Sequence, residues 1–294
     1  MVRPGILLVD KPGGITSHDV VSRARRALGT RKIGHAGTLD PMATGLLVLG
    51  VEGATRLLTY IVGADKTYEA TILLGVETDS DDADGTETAR ADASAVTEAQ
   101  ILEGIAELTG EIDQVPSTVS AIKVDGRRAY DLARAGEEVE LKARRVTVSR
   151  FHVRETRRGD TTIELDVVVD CTSGTYIRAL ARDLGRSLGV GGHLTALRRT
   201  RIGAFDVAGA ASVDDIAEDA LVEPATAAAV VVGALAVGAD EARDLRHGKR
   251  IDGGGRLTGA LAAAIDPDGR LVGIVEKRGT HLKSAMNMPE EAAR

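Results

Sequence analysis

The chain has 294 residues, 43% of them hydrophobic, and this content indicates a folded protein long enough for two domains. Its one cysteine, Cys171, excludes an internal disulfide and a metal site built from several cysteines. The net charge of −7 argues against a surface that is basic throughout, the usual electrostatic footprint of a nucleic-acid-binding protein.

The charged residues are unevenly distributed along the chain. Residues 202–242 hold eight acidic side chains and no Lys or Arg. By contrast, residues 123–158 hold eleven basic and six acidic side chains, and residues 178–201 hold six arginines and one acid, Asp183. Charge runs are often only solvated surface. Basic clusters also suit phosphate groups, so the acidic total does not exclude an RNA ligand.

The N-terminal elements are predicted from short local patterns. Residues 6–9 form an apolar run that predicts a strand, and residues 10–14 (DKPGG) are typical of a turn. Ser17 is predicted to cap a helix that runs to about Leu28, and Gly29 is predicted to end it.

Residues 34–47 read GHAGTLDPMATGLL and are the most informative segment of the chain. The glycines relax the backbone, while Pro41 disfavours a helical conformation at Asp40. The pattern therefore predicts a carboxylate in a turn at the mouth of an apolar strand, residues 46–49. Turns of this composition are also ordinary at protein surfaces, so Asp40 by itself does not define a site.

Alternating apolar residues predict a strand over residues 67–74. One face of that strand would carry Tyr68, Ala70, Ile72 and Leu74. The acidic residues 77–92 are predicted as a loop. Three of its aspartates, Asp79, Asp81 and Asp84, have a calcium-like spacing, but the glutamate that calcium loops carry at the twelfth position is missing.

The rest of the chain mixes helices and strands. Thr97 and Gln100 form a capping box that predicts a helix. The later patterns predict a hairpin at 120–126, helices at 127–135 and 176–188, and strands at 145–153 and 161–169. Without regular βαβ alternation, this order favours an α+β fold with a largely antiparallel sheet. Further strands are expected near Leu235, Leu261 and Val272.

Four separately spaced segments resemble motifs of the bacterial tRNA pseudouridine synthase B family. They are residues 34–47, 66–75 (KTYEATILLG), 174–178 (GTYIR) and 193–199 (HLTALRR). The similarity covers about residues 4–205. It implies a pseudouridine synthase-like catalytic domain, predicted at 1–225, with a largely antiparallel mixed sheet flanked by helices. It also implies a small β-rich, PUA-like RNA-binding domain, predicted at 226–294, where no motif matches residue by residue.

The resemblance implies catalytic roles for three residues. Asp40 matches the family's essential aspartate, and a carboxylate beside the sugar and base suits the isomerisation of uridine. Arg178 matches an arginine that faces this aspartate, and a fixed cation favours the ionised acid in a dry site. Tyr68 matches a tyrosine that stacks on the target base. Without the family context, an arginine early in a helix, such as Arg178, is usually a solvated residue, and Tyr68 reads equally as a core residue.

The resemblance also implies substrate-binding roles. His35 matches a histidine that contacts the target nucleotide, although a glycine-flanked histidine also suits a simple loop or a general base. Tyr176 would border the uridine pocket and Leu197 would close it. Arg198 and Arg199 would meet phosphate groups.

We therefore expect a cytoplasmic, monomeric enzyme that converts uridine 55 in the T-arm stem-loop of tRNA to pseudouridine after base flipping. No cofactor, metal, guide RNA or membrane partner is expected, and no secretory signal is recognised. One rival is a guide-dependent relative from a ribonucleoprotein, and another is a non-catalytic RNA-binding or tRNA-folding module. A third, a glycosidase-like hydrolase, needs a second carboxylate that no motif supplies.

Overall fold

The computed structural model describes residues 2–117, 123–124, 127–128 and 141–289. Its helices are α1 (Ser17–Ala27), α2 (Leu58–Val62), α3 (Glu98–Glu107), α4 (Ile177–Ser187), α5 (Pro224–Val232) and α6 (Ala239–Arg246). Its strands up to the middle of the chain are β1 (Gly5–Lys11), β2 (Ile33–His35), β3 (Thr44–Val51), β4 (Lys66–Leu74), β5 (Val76–Thr78), β6 (Glu87–Arg90), β7 (Gly110–Gln114), β8 (Lys123–Val124) and β9 (Arg127–Arg128). The later strands are β10 (Arg144–Arg158), β11 (Ile163–Cys171), β12 (Gly192–Ile202), β13 (Phe205–Asp206), β14 (Ala211–Ser212), β15 (Ala234–Ala236), β16 (Ile251–Asp252), β17 (Leu261–Ile265), β18 (Leu271–Arg278) and β19 (His281–Asn287).

The chain forms two compact units. One consists of Met1–Pro41, Gly45–Ala64 and Ile202–Arg294, and the other of Met42–Thr44 and Asp65–Arg201. Both combine helices with mainly antiparallel strands, so the predicted α+β class is confirmed. In the part of the chain described, no helix is long and apolar enough to cross a bilayer.

The first unit is built on β1 and β3, which pair antiparallel along their whole length. Strand β14 adds to β1 in parallel, and β2 pairs antiparallel with the end of β3. Since side chains alternate along a strand, each face of this sheet buries its own set of residues. One face packs against α1 through Leu7, Val9, Leu47 and Leu49. The other carries Ile6, Leu8, Leu46 and Val48.

The C-terminal part of the first unit is a five-stranded sheet in the order β15-β17-β18-β19-β16. It confirms the strands predicted near Leu235, Leu261 and Val272. Helix α5 joins the core of the first unit through Ala227 and Ala228. The predicted boundary at 225/226 therefore falls within a folded helix, and the division there stays a prediction.

The second unit is a sheet in the order β12-β4-β11-β10-β7. Strands β4 and β11 pair antiparallel from Lys66 opposite Cys171 to Leu74 opposite Ile163. Along β4 buried and half-buried residues alternate, which confirms the predicted face of Tyr68, Ala70, Ile72 and Leu74. The capping box of Thr97 and Gln100 at the start of α3 is also confirmed.

Two local predictions need correction or lie outside the described residues. The N-cap of α1 is Thr16, whose side chain accepts from the backbone of Asp19, and Ser17 is the first residue of the helix. Strands β8 and β9 pair antiparallel, in agreement with the predicted hairpin. The helix predicted at 127–135 does not begin at Arg127, which lies in β9, and its remaining residues from 129 onward lie outside the described residues.

Candidate active site

Asp40 lies in the first unit, in the loop between β2 and β3, and the residue before it is held in place by Ser17. The Ser17 hydroxyl donates to the carbonyl of Leu39 at 3.1 Å and accepts from the amide of the same residue at 2.9 Å. Both Ser17 and the Leu39 side chain are buried. The hydroxyl that the sequence suggested as a helix cap therefore fixes the backbone immediately before the aspartate.

The residue after Asp40 is fixed as firmly. The carbonyl of Pro41 accepts from the Nζ of Lys11 at 3.1 Å and from the amide of Gly14 at 2.9 Å. Lys11 is fully buried, and its ammonium also donates to the carbonyls of Pro12 and Ile15. With both neighbours bonded, the Asp40 backbone is held in one position.

His35 ends β2 and begins the same loop. Its ring lies edge-to-face with the ring of His18 on α1, with centroids 5.7 Å apart. Strand pairing fixes the backbone of His35 opposite Leu49. The histidine therefore starts from an ordered strand rather than from a flexible turn.

Arg178 lies in the second unit, in the first turn of α4, and is almost completely buried with 3% of its surface exposed. Its Nη1 lies 3.1 Å from Oδ2 of Asp82 and donates to the carbonyl of Ser80 at 2.8 Å. The solvated alternative for this arginine is therefore wrong. A buried guanidinium in a bonded geometry is a fixed positive charge.

Asp82 is the buried partner of Arg178, and no sequence pattern indicated this role. Its carboxylate is also buried, and its Oδ1 accepts from the hydroxyl of Ser80 at 2.5 Å and from the amide of Asp84 at 3.1 Å. The acidic composition of residues 77–92 predicted only a loop, whose calcium-like spacing lacks the glutamate at the twelfth position. Asp82 instead binds an arginine, and the described residues contain no group of three or more His, Cys, Asp or Glu that could hold a metal ion.

A second ion pair lies one turn further along α4. Arg182 Nη1 lies 3.1 Å from Oδ2 of Asp81, and both side chains are largely buried. Asp81 has a φ of +60°, a conformation that L-residues other than Asn and Asp rarely adopt. Adjacent aspartates of one loop therefore bind arginines on successive turns of one helix.

The two predicted tyrosines lie in the same unit. Tyr68 lies on β4 opposite Val169 and has 7% of its surface exposed. Tyr176 is half-buried and is the N-cap of α4, two residues before Arg178. Their positions agree with a role beside the arginine, although burial of Tyr68 alone equally suits a core residue.

Leu197, Arg198 and Arg199 follow one another on β12. Consecutive strand residues point to opposite faces, so the two arginines cannot contact the same ligand group. Leu197 is buried and Arg198 is half-buried, whereas Arg199 has only 1% of its surface exposed. The prediction that Arg199 meets phosphate is wrong because its guanidinium lies inside the protein. Arg198 remains the candidate phosphate contact.

Lys66, two residues before Tyr68, is buried close to Arg199. Burial, with a smaller effect from the Arg199 charge, lowers the pKa of Lys66 to about 8 from the usual 10.5. Between these values the unfolded chain keeps a proton that the folded chain has lost, so rising pH stabilises the folded state.

We expect this pH dependence to disappear in Lys66→Met. The unfolding free energy of the parent minus that of Lys66→Met should rise by up to about 3 kcal/mol between about pH 7.5 and pH 10.5. Urea unfolding of both proteins at the two pH values measures it. A difference that stays constant with pH would contradict the lowered pKa.

Solved structures share this fold. The chain aligns with a chain of an H/ACA ribonucleoprotein bound to a substrate RNA containing 2′-deoxyuridine at a TM-score of 0.70 and 24% identity, over 97% of this chain and 85% of that one. A chain of a Cbf5-Nop10-Gar1 complex aligns at a TM-score of 0.68 and 25% identity, over 98% and 84% of the two chains. The fold is that of the Cbf5-type pseudouridine synthases.

Sequence comparisons give a narrower class of protein than the fold does. The model "TruB family pseudouridylate synthase (N terminal domain)" matches residues 25–177, and two C-terminal models of the same family match residues 178–232 and 233–289. A protein of Leifsonia xyli named tRNA pseudouridine synthase B is 56% identical over 99% of this chain and 98% of its own length. One of the same name from Mycobacterium ulcerans is 50% identical over 96% and 94%. The chain belongs to the TruB family of tRNA pseudouridine synthases and is an isomerase of uridine.

Proposed function

We propose that this protein converts the uridine conventionally numbered 55 in the T arm of tRNA to pseudouridine, with Asp40 as the catalytic carboxylate. In this reaction uracil leaves C1′ of the ribose, rotates and rejoins through C5. The C5 proton is lost and N1 gains one, so no atom is added overall. The observation that carries the assignment is the loop of Asp40, whose flanking residues Leu39 and Pro41 are both bonded to buried side chains.

Arg178 is the proposed cation that favours the ionised form of Asp40. Its support in this chain is its burial and its fixed geometry on Asp82 and Ser80. A cation that cannot swing into water keeps its electrostatic effect in a site from which water is excluded.

Tyr68 is the proposed stacking platform for the flipped uracil. A base taken out of its helix loses its stacking neighbours, and an aromatic ring replaces them. We expect Tyr68→Phe to keep tRNA affinity because the ring remains, so any loss of rate reports the hydroxyl. Tyr68→Leu should weaken binding by about 1–3 kcal/mol, the usual contribution of one stacked base.

Single-turnover rates and filter binding of the two variants measure these effects. Val169, the cross-strand neighbour of Tyr68, supplies the control, because Val169→Ala alters the same buried face without removing a ring. Normal binding and turnover by Tyr68→Leu would assign this ring to the core instead.

Recognition is proposed to be local to the T arm and to depend on phosphate contacts, with His35, Tyr176 and Leu197 around the target nucleotide. A hairpin loop already exposes its bases, which lowers the cost of flipping one out. Since the chain as a whole is acidic, attraction to RNA acts through local basic surface such as that of Arg198.

We expect an isolated T-arm hairpin to be a substrate. Affinity should fall linearly on a log–log salt plot, with a slope near −0.9 per phosphate contact on duplex and about −0.7 on single strands. Arg198→Gln should flatten the slope by about one contact without changing the chosen uridine. Arg199→Gln is the matched control, since the Arg199 guanidinium is buried and should make no phosphate contact. An inert hairpin alongside modified full-length tRNA, or binding insensitive to salt, would contradict local recognition.

The protein is further proposed to act alone, as a cytoplasmic monomer without a guide RNA. The relatives that match nearly its whole length are named tRNA pseudouridine synthase B. The ribonucleoprotein chains share its fold at 23–25% identity. Activity of the purified chain on a tRNA transcript, with no added RNA or protein, tests this directly.

A further inference from the structure

The side chain of Gln114 binds both backbone groups of Tyr176. Gln114 ends β7 and has 2% of its surface exposed. Its Nε2 donates to the carbonyl of Tyr176 at 3.0 Å, and its Oε1 accepts from the amide of the same residue at 2.8 Å. One amide side chain thus replaces the two hydrogen bonds that a neighbouring strand would make.

Tyr176 is a position where the backbone needs such support. It is the N-cap of α4, with an extended backbone (φ −103°, ψ 107°), and its own side chain makes no capping hydrogen bond. Arg178 follows two residues later in the first helical turn. A shift of the Tyr176 backbone would therefore move the tyrosine ring and the guanidinium together.

The residue after Gln114 is tied to the same helix. The carbonyl of Val115 accepts from Nη2 of Arg182 at 2.7 Å, and Arg182 is held in turn by Asp81. The end of β7 is therefore bonded to α4 at two successive turns. Buried polar groups that are fully paired hold one geometry, and losing one partner leaves the other unsatisfied.

We propose that Gln114 is a positioning residue for pseudouridine formation, which acts by fixing Tyr176 and the first turn of α4. This inference rests on the proposed roles of Tyr176 and Arg178. Gln114 itself touches neither substrate nor reacting atoms. Its loss should slow the chemical step more than it weakens RNA binding, because small errors in the placement of reacting groups cost rate.

The substitution Gln114→Glu gives a readout specific to the two hydrogen bonds. A protonated glutamic acid has the shape of glutamine, and its O–H can donate to the Tyr176 carbonyl while its C=O accepts from the amide. An ionised carboxylate can only accept hydrogen bonds, so one of its oxygens would lie against the carbonyl oxygen of Tyr176 and repel it. Burial raises the pKa of a carboxyl group, so this change falls in a measurable pH range.

We expect the single-turnover rate of Gln114→Glu relative to the parent to rise several-fold as the pH falls from about 8.5 to 5.5. Gln114→Met should be at least about tenfold slower than the parent at every pH, with tRNA affinity within about twofold. Gln100→Met is the control, because the exposed Gln100 also binds a helix-start backbone amide, but that of Thr97, the N-cap of α3, rather than that of Tyr176. It should keep the parent rate.

Hydrogen exchange at the Tyr176 amide tests the contact without any substrate. Exchange at this amide should be faster in Gln114→Met than in Gln100→Met. This comparison does not depend on activity: a wild type that is inactive on tRNA would reject the proposed function, but not the contact between Gln114 and Tyr176. Equal exchange in the two variants would mean that the Gln114 side chain does not hold the Tyr176 backbone, which would overturn the proposal. The positioning role of Gln114 would be overturned if folded Gln114→Met had the parent rate. It would also be overturned if the rate of Gln114→Glu relative to the parent did not change with pH.

Discussion

Asp40→Asn is expected to abolish pseudouridine formation while tRNA affinity stays within about twofold of the parent. Asparagine keeps the shape of the side chain, and the hydrogen bonds that hold Leu39 and Pro41 do not involve it. Only the ionisable carboxylate is lost. If it is the reacting group, the rate should fall by at least about 10⁴-fold, which corresponds to about 5 kcal/mol of transition-state stabilisation.

Single-turnover assays with excess enzyme and filter binding at one salt concentration separate the two effects. Asp19→Asn, a carboxylate on the exposed start of the neighbouring helix α1, is a suitable control and should keep the parent rate. A rate near that of the parent in Asp40→Asn would remove the catalytic assignment. Such a result with normal binding would favour another carboxylate rather than another function.

Asp82→Asn is expected to produce the second-largest loss of catalytic rate, after Asp40→Asn. The substitution removes one charge of a buried ion pair, a change that typically costs about 3–5 kcal/mol of stability. The guanidinium should also lose its fixed orientation, because Asp82 and Ser80 accept its hydrogen bonds. We expect the single-turnover rate to fall by about 10²-fold, the usual effect of removing one preorganised electrostatic contact.

The neighbouring aspartate provides a matched comparison. Asp81→Asn is the same substitution one residue away and breaks the pair with Arg182 instead. It should lower the unfolding free energy without a comparable loss of rate, when both variants are assayed at a temperature where they are folded. Equal rate losses in the two variants would mean that Asp82 acts through general stability rather than through Arg178.

The features that the sequence predicted well are those encoded by neighbouring residues. The strand of Tyr68 shows in the alternation of its side chains, and the capping box of α3 lies within four residues. The strands of the C-terminal sheet were found for the same reason. Asp40 stood out because glycines and a proline mark its turn within one short segment.

Most of the features that were missed depend on residues far apart in the chain. One is the pair of hydrogen bonds between the Ser17 hydroxyl and the backbone of Leu39. The partner of Asp82 is likewise Arg178, on a helix in the second half of the chain. No local pattern distinguishes this aspartate from the other acids of its loop. The cap of α1 is an exception, because Thr16 and Asp19 form a capping box within four residues.

The error at Arg199 has a different cause. The segment 193–199 was interpreted as a motif, without a predicted secondary structure. In the structure it belongs to β12, where alternate side chains point to opposite faces. A strand prediction would have separated Arg198 from Arg199 and placed the buried one on the face of Leu197.

The most direct test of the central claim is the position of pseudouridine in tRNA treated with the purified protein. An unmodified transcript is incubated with the wild type or Asp40→Asn, and carbodiimide adducts of pseudouridine are mapped by primer extension. A transcript with cytidine at position 55 serves as the substrate control. We expect one new stop, one nucleotide 3′ of position 55, with the wild type only and on the uridine transcript only. A stop elsewhere, no stop with the wild type, or equal stops with Asp40→Asn would contradict it.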